Sequence, residues 1–392
     1  MRISALRFIG GAVGPLLLAL VWVLVPVSQP AEAIPAFARK YELPCTQCHS
    51  AWPKLNAYGR DFKMNGYRIP GEAEEPGEFN QEISDLLVLG KNFPITGRLV
   101  MRPFDKKKNK RFKVRSLHEM EVIIAGRVYK NVSTWLEFEG EDEENFNLTT
   151  ETGVIGWHPR KGANFVLGWA SPFWADPFDT LADGGRRMTR AHKGPLDLKL
   201  SAREPLRKQS QWFGFYGRGL EDRVFYLGGV SSGANDPEGE DARDGFGRVM
   251  VEAAPGVYVG GFALAGSNET QARDLDFSRT GIDFQIEQGN LNLYGMIMRA
   301  NDDLLAGGDE SETVGYVQGF YTIPMHDKRM IVPLVRLELL NSVTGGTTNI
   351  AANLNYYFAQ NGKIYFEWFQ NVDTPAGLRK NNRGTLQLDF VF

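Results

Sequence analysis

The chain is poor in cysteine: 392 residues hold two, Cys45 and Cys48, both inside the stretch LPCTQCH. A structural zinc site takes four ligands, and with five histidines in the chain no second Cys/His cluster completes one. Excess basic charge is also missing. Lys and Arg number 44 against 47 Asp and Glu, a formal net charge of -3, so nothing points to nucleic acid. Beyond residue 33 there is no uncharged apolar run of helix-spanning length. With 23% charged residues and a mean hydropathy of -0.29, the chain is not a helical membrane protein. No Gly-rich phosphate loop lies between a strand and a helix, no HExxH occurs, and no catalytic triad follows from spacing, so hydrolytic chemistry has no support.

What is abundant is glycine, 43 residues, and aromatics, 12%, a mixture that suits many short strands joined by tight turns. At the N-terminus, Arg2 and Arg7 precede an uncharged stretch from Phe8 to Val27 and the small-residue pattern Ala31-Glu32-Ala33. This reads as a secretory signal over residues 1–33, cleaved after Ala33. The competing reading is a retained anchor helix, since the apolar stretch approaches the ~20 residues a bilayer span needs.

Exported proteins commonly use cysteine for disulfides, yet only Thr46 and Gln47 separate Cys45 from Cys48, and His49 follows directly. The spacing matches covalent haem attachment. Two thioethers fix the porphyrin edge and the adjacent imidazole supplies the proximal iron ligand, so all three residues must be neighbours. A redox CxxC is the alternative; it leaves His49 unexplained and lacks a βαβ setting. The following residues predict a short helix, with Pro53 in its first turn and Gly66 as its C-terminal cap. On it Trp52, Leu55, Tyr58 and Phe62 recur at helical spacing, as a haem-packing stripe or as plain packing. Met64 is the nearest methionine for a sixth iron ligand, although at ~100° per residue it falls opposite Leu55. His118, His158, His192, His326 and an open site remain alternatives. About thirty residues around one haem bury no self-sufficient core, so residues 34–80 must lean on the rest.

From about Phe93 onward apolar and polar residues alternate with period two. Ile282, Phe284 and Ile286 oppose Asp283, Gln285 and Glu287; Val335, Leu337 and Leu339 oppose Arg336 and Glu338; Leu386, Leu388, Phe390 and Phe392 oppose Gln387 and Asp389. Connections between about sixteen strands alternate, odd ones mostly long and even ones mostly short. That asymmetry belongs to a transmembrane antiparallel β-barrel over residues 81–392; a soluble sandwich shares the period but not the alternation. Trp157, Trp169, Tyr356 and Tyr357 are candidates for aromatic girdles. The polar set then lines the lumen, where Glu119, Glu121, Glu137, Glu139 and Asp283 would attract cations. The long stretch 173–209, rich in Arg and Asp, either folds inward to narrow the pore or is a disordered loop, and the sequence does not choose between them.

The stretch AIPAFARKYELPCTQCH, with PKLNAYGRDFKMNGY behind it, resembles the outer-membrane fused monohaem cytochrome-porins, the iron oxidases of iron-oxidising bacteria. Ala33, Pro35, Ala36, Phe37, Ala38, Arg39, Cys45, Cys48 and His49 match that family's motif, whereas Lys40, Tyr41 and Glu42 replace its Gln-Thr-Gly. The motif covers about a tenth of the chain. The resemblance implies one covalent haem c, Fe(II) as donor, an Fe(II):cytochrome c oxidoreductase-type activity and a periplasmic c-type cytochrome as acceptor, in the bacterial outer membrane. It also carries the expectation that residues 34–80 plug the lumen. Two rival readings are a transport porin whose haem plug gates or senses, and a periplasmic cytochrome with a soluble β domain.

Overall fold

A computed structural model describes residues 35–69, 94–107, 110–182, 188–233, 244–268, 274–342, 345–374 and 380–392. The leader, its cleavage point and the end of the haem segment beyond residue 69 lie outside the described residues.

Period-two alternation produces sixteen long strands, all antiparallel to their neighbours. They are β1 (Ile95–Lys107), β2 (Lys113–Tyr129), β3 (Val132–Glu141), β4 (Thr149–Arg160), β5 (Ala163–Ala170), β6 (Ser210–Gly219), β7 (Val224–Ser231) and β8 (Asp244–Ala254). Then follow β9 (Val257–Asn268), β10 (Leu275–Gln288), β11 (Leu291–Asp303), β12 (Asp309–Tyr321), β13 (Met330–Ser342), β14 (Gly345–Ala359), β15 (Gly362–Asp373) and β16 (Arg383–Val391). A two-residue piece, Ile323–Pro324, pairs with the start of β13. The sheet closes on itself: β16 pairs with β1, Phe390 opposite Leu99 and Leu388 opposite Met101. Closure leaves no edge strand and pairs every strand backbone, the condition a bilayer imposes on β structure.

The two faces divide as the alternation requires. On β10, Ile282 is 63% exposed while Asp283 beside it is 2% exposed. Ile155, Leu167, Phe213, Val249, Val259, Ile297, Val335 and Phe366 continue the exposed apolar surface around the cylinder. In water such a surface would be a large liability; against lipid it is the stable arrangement. Trp157 stands on this outer face. Tyr357 does not, contrary to its assignment to a girdle. It falls on the lumen parity of β14, is 1% exposed, and donates from its hydroxyl to the Trp52 carbonyl at 2.6 Å.

The short turns lie at one end, among them Lys130–Asn131 between β2 and β3 and Gly289–Asn290 between β10 and β11, and by barrel convention this end is periplasmic. Two segments fill the lumen. From the short-turn end rises the plug: α1 (Ala36–Tyr41), α2 (Cys45–Cys48), a two-stranded ladder of His49–Ala51 with Lys54–Leu55, and α3 (Ala57–Met64). From the wall comes the connection between β5 and β6, whose described residues 171–182 and 188–209 fold inward. Arg336 of β13 donates to the Ala191 and His192 carbonyls, both at 2.8 Å. Asp302 of β11 accepts from the Ala202 amide at 2.8 Å, and Glu367 of β15 accepts from the Arg190 amide at 2.6 Å. Tyr316 of β12 donates to the Thr180 carbonyl at 2.7 Å. A loop with its polar backbone buried needs such partners, and the polar lumen face supplies them.

Candidate functional site

The plug is locked to the wall by charge. The Arg60 guanidinium, 3% exposed, forks onto Glu287 of β10, with Nη1 to Oε1 at 2.6 Å and Nη2 to Oε2 at 2.9 Å, and Nη2 also donates to the Tyr258 hydroxyl at 3.1 Å. Lys63 donates to the carbonyls of Trp174 and Asp176 at 2.7 and 3.0 Å, tying plug to inward loop. Lys54 donates to Gln285 Oε1 at 2.6 Å and to the Phe178 carbonyl at 2.5 Å. Burial pushes the Lys54 ammonium down to about 8, against the upward pull of Asp179 and Glu287.

The helix behind the cysteines starts later than Pro53. Pro53 sits in the turn of the short ladder, and Asn56 is the N-cap of α3, its side chain accepting from the Gly59 amide at 3.0 Å. Gly66 ends α3 as expected, with φ of 66°. The Tyr67 amide then reaches back to the Phe62 carbonyl at 2.9 Å. Gly59 has a separate duty: a Cβ there would lie 2.1 Å from the Cys48 carbonyl oxygen, so only glycine lets α3 press against the cysteine turn.

That turn, Cys45–Cys48, is anchored by the Cys45 amide, which donates to Gln360 Oε1 in the β14–β15 turn at 3.1 Å. Both cysteines are free and half-buried. Burial raises both thiols, Cys48 to about 11, with Cys45 beside it adding to the shift. His49 leaves the turn in an extended conformation, and its Nδ1 lies 3.0 Å from the Pro53 carbonyl. A carbonyl only accepts, so Nδ1 carries the proton and Nε2 the lone pair, the tautomer that metal-binding histidines use.

Cys45, Cys48 and His49 line a cavity of about 320 Å³ within the lumen, in the size range of small-molecule sites, roughly 300–1,000 Å³. Trp52, Leu55 and Phe62 line it too. The sequence-predicted stripe therefore meets the cavity at three of its four positions; Tyr58 is not among the lining residues. Beyond the stripe, an aromatic wall contributes that periodicity gave no hint of. Phe37 stacks on Tyr67 at 4.9 Å between centroids, and Tyr67 meets Trp135 of β3 at 5.7 Å. Lys54 and Lys193 add ammonium groups. Met64 is not brought to the cavity: it is buried in the plug-to-wall packing, where its carbonyl accepts from the Tyr216 hydroxyl at 3.2 Å. Helical rotation explains this: within α3 Phe62 takes the cavity side, and Met64, two residues on and about 200° round, faces away.

The lumen carboxylates are largely paired, which the alternation alone did not disclose. Arg98 of β1 donates to Glu119 at 2.8 Å and to Glu121. Asp283 accepts from Arg248 at 2.6 Å and from Thr180 at 2.8 Å, beneath the inward loop, so it is a bridge in the packing and not a wall of open lumen. Buried charges require such partners. The exception in density is the β2–β3 wall. Glu119 faces Glu141 and Glu121 faces Glu139 across the ladder, Glu137 lies one step further in, and Glu137 and Glu151 reach the cavity lining itself. Oxygens of Glu119, Glu121 and Glu139 all lie within 4.8 Å of one another.

No protein-family model matches the chain, and no curated protein is similar to it. Among solved structures, the anion-selective porin from Comamonas acidovorans is similar with a TM-score of 0.56 at 12% identity, over 76% of this chain and 98% of that one. The Salmonella typhi OmpF complex with daunomycin gives 0.56 at 9%, over 76% and 97%. The outer-membrane expressed OmpT of Vibrio cholerae gives 0.53 at 14%, again over 76% and 97%. At these identities the likeness is one of fold: a porin-type barrel, whose apolar outer belt fits the bacterial outer membrane.

Proposed function

We propose that this outer-membrane barrel is an electron conduit that takes electrons from an extracellular donor, Fe(II), through a single c-type haem and passes them to a periplasmic c-type cytochrome. The observation that carries the reading is the CxxCH turn lining a cavity inside the barrel. A haem held by Cys45 and Cys48, with His49 Nε2 as proximal ligand, would supply reversible one-electron chemistry there. The residues fit such a group: thiols and imidazole on one turn, and aromatic walls from Trp52, Phe62, Tyr67 and Trp135.

In the overall step each Fe(II) loses one electron to become Fe(III), and one ferric cytochrome in the periplasm becomes ferrous. The protein's own share is placement. A bilayer core is ~30 Å thick, so a single relay works only if both partners come close. The plug sets the cysteine turn at the periplasmic end, beside the β14–β15 turn. On the other side Glu119, Glu121, Glu137 and Glu139 line a wall toward the long-loop end, drawing a cation inward while the filled lumen keeps bulk solution out.

The second reading, a porin whose plug gates or senses, is favoured by the barrel fold alone; the plug and the inward loop weigh against free solute flow. Stopped-flow absorbance of the detergent-solubilised protein mixed with Fe(II) tests the choice. Rapid reduction of the haem bands is expected, slowed about tenfold when Glu137 and Glu139 are both changed to Gln. Haem bands that stay oxidised under excess Fe(II) would overturn the donor assignment.

A further inference from the structure

At the long-loop end of β2 and β3, away from the cysteine turn, stands a side-chain group that the electron-transfer reading does not use. His118 is 1% exposed. Its Nδ1 lies 2.8 Å from Asp142 Oδ1, and the tautomer that donates from Nδ1 to this carboxylate leaves the lone pair on Nε2. Arg115 Nη1 also approaches Nδ1, at 2.9 Å. Arg115 is ion-paired with Asp142, Nε to Oδ2 at 3.4 Å, and its Nη2 donates to Glu143. Nε2 makes no hydrogen bond among the described residues. It points at two carboxylate oxygens, Glu141 Oε1 at 3.9 Å and Glu119 Oε2 at 4.0 Å.

Those separations are too long for hydrogen bonds. They fall within the roughly 4.4 Å that two metal–ligand bonds of about 2.0–2.2 Å can span across one ion. Ligand atoms of His118, Glu141 and Glu143 lie within 4.8 Å of one another. Around them stand Glu119, Glu121, Glu141, Asp142 and Glu143 against Arg98, Arg102 and Arg115, so carboxylates outnumber guanidiniums. The Glu143 side chain is 52% exposed, so the group is open to the outer solution on one side while the imidazole is buried on the other.

We infer that His118, Glu141 and Glu143 form a binding site for a first-row divalent transition-metal ion at the outer mouth of the barrel, with Asp142 as the residue that fixes the imidazole. One nitrogen with carboxylate oxygens suits Mn(II), Fe(II) or Zn(II), whereas Ca(II) takes oxygen ligands. The site needs no haem, so it stands or falls apart from the electron-transfer reading.

The test titrates the full detergent-solubilised chain with Mn(II) and follows the six-line electron paramagnetic resonance signal of the free ion. The expected result is one ion retained per chain, with affinity reduced at least about tenfold in His118→Gln and about 10- to 100-fold in Asp142→Asn. Asp222→Asn, in the turn between β6 and β7 at the opposite end, should bind as the wild type does. Heat-modifiable gel mobility of each variant reports that the barrel is closed. Absence of retained Mn(II), or equal retention by wild type and both mouth variants, overturns the site. The second outcome would mean that the acidic wall holds ions without the imidazole. Mn(II) binding without haem reduction by Fe(II) would leave the site standing and remove the donor assignment.

Discussion

At the residue scale the proposal turns on Cys45, Cys48 and His49, which the sequence sets side by side and the fold places on the lining of the lumen cavity. Their surroundings were not legible in the sequence. Tyr357 reads as an interfacial aromatic from its place near a strand end, yet parity turns it inward onto Trp52. Asp283 reads as a lumen carboxylate, which it is, but its partners Arg248 and Thr180 come from elements 35 and 103 residues away. Periodicity reports which face a side chain takes and nothing about who meets it there. Replacing both Cys45 and Cys48 by Ser should leave a barrel that folds and carries no pigment through denaturing electrophoresis, whereas the wild-type band keeps its haem stain. A wild-type band that loses all colour on denaturation would contradict covalent attachment.

At the element scale the plug is a set of short pieces held by the wall, and its helix start was misplaced because Pro53 suits a tight turn as well as a first helical turn. Asn56, whose capping side chain decides the boundary, carries the usual N-cap chemistry and stands three residues further on. The Arg60–Glu287 fork crosses from α3 to β10, and removing the guanidinium leaves Glu287 without its cation. Arg60→Ala should weaken plug docking by about 3–5 kcal/mol, read as faster protease cleavage within residues 35–69 while the barrel stays intact. Lys54 gives a pH signature. Its folded-state value, about 8, lies below the ordinary 10.5, so between those limits the released chain binds more protons than the docked one. Plug stability should therefore rise as pH increases from 8 toward 10.5, and Lys54→Met should flatten that rise. A docked plug equally protease-resistant at both ends of the window, in wild type and variant alike, would contradict the burial of this ammonium.

At the scale of the whole molecule the alternation of long loops and short turns predicts about sixteen strands, and the closed barrel has sixteen long strands among the described residues. Length alone left the course of the β5–β6 connection open; the inward path of its described residues 171–182 and 188–209 depends on Arg336, Asp302, Glu367 and Tyr316, which only the closed barrel brings together. With plug and loop both in place, the intact protein in a planar bilayer should pass far less ion current than an open barrel of this strand number. Deleting residues 36–69 should restore stepwise conductance. Steady open-channel currents from the intact chain would favour transport over electron relay.

The most direct measurement places the protein in sealed proteoliposomes that contain ferric cytochrome c and adds Fe(II) outside. The account predicts that the enclosed cytochrome turns ferrous at a rate set by the protein, and that vesicles with the Cys45→Ser, Cys48→Ser chain leave it ferric. An enclosed cytochrome that stays oxidised while wild-type protein and external Fe(II) are both present would contradict it.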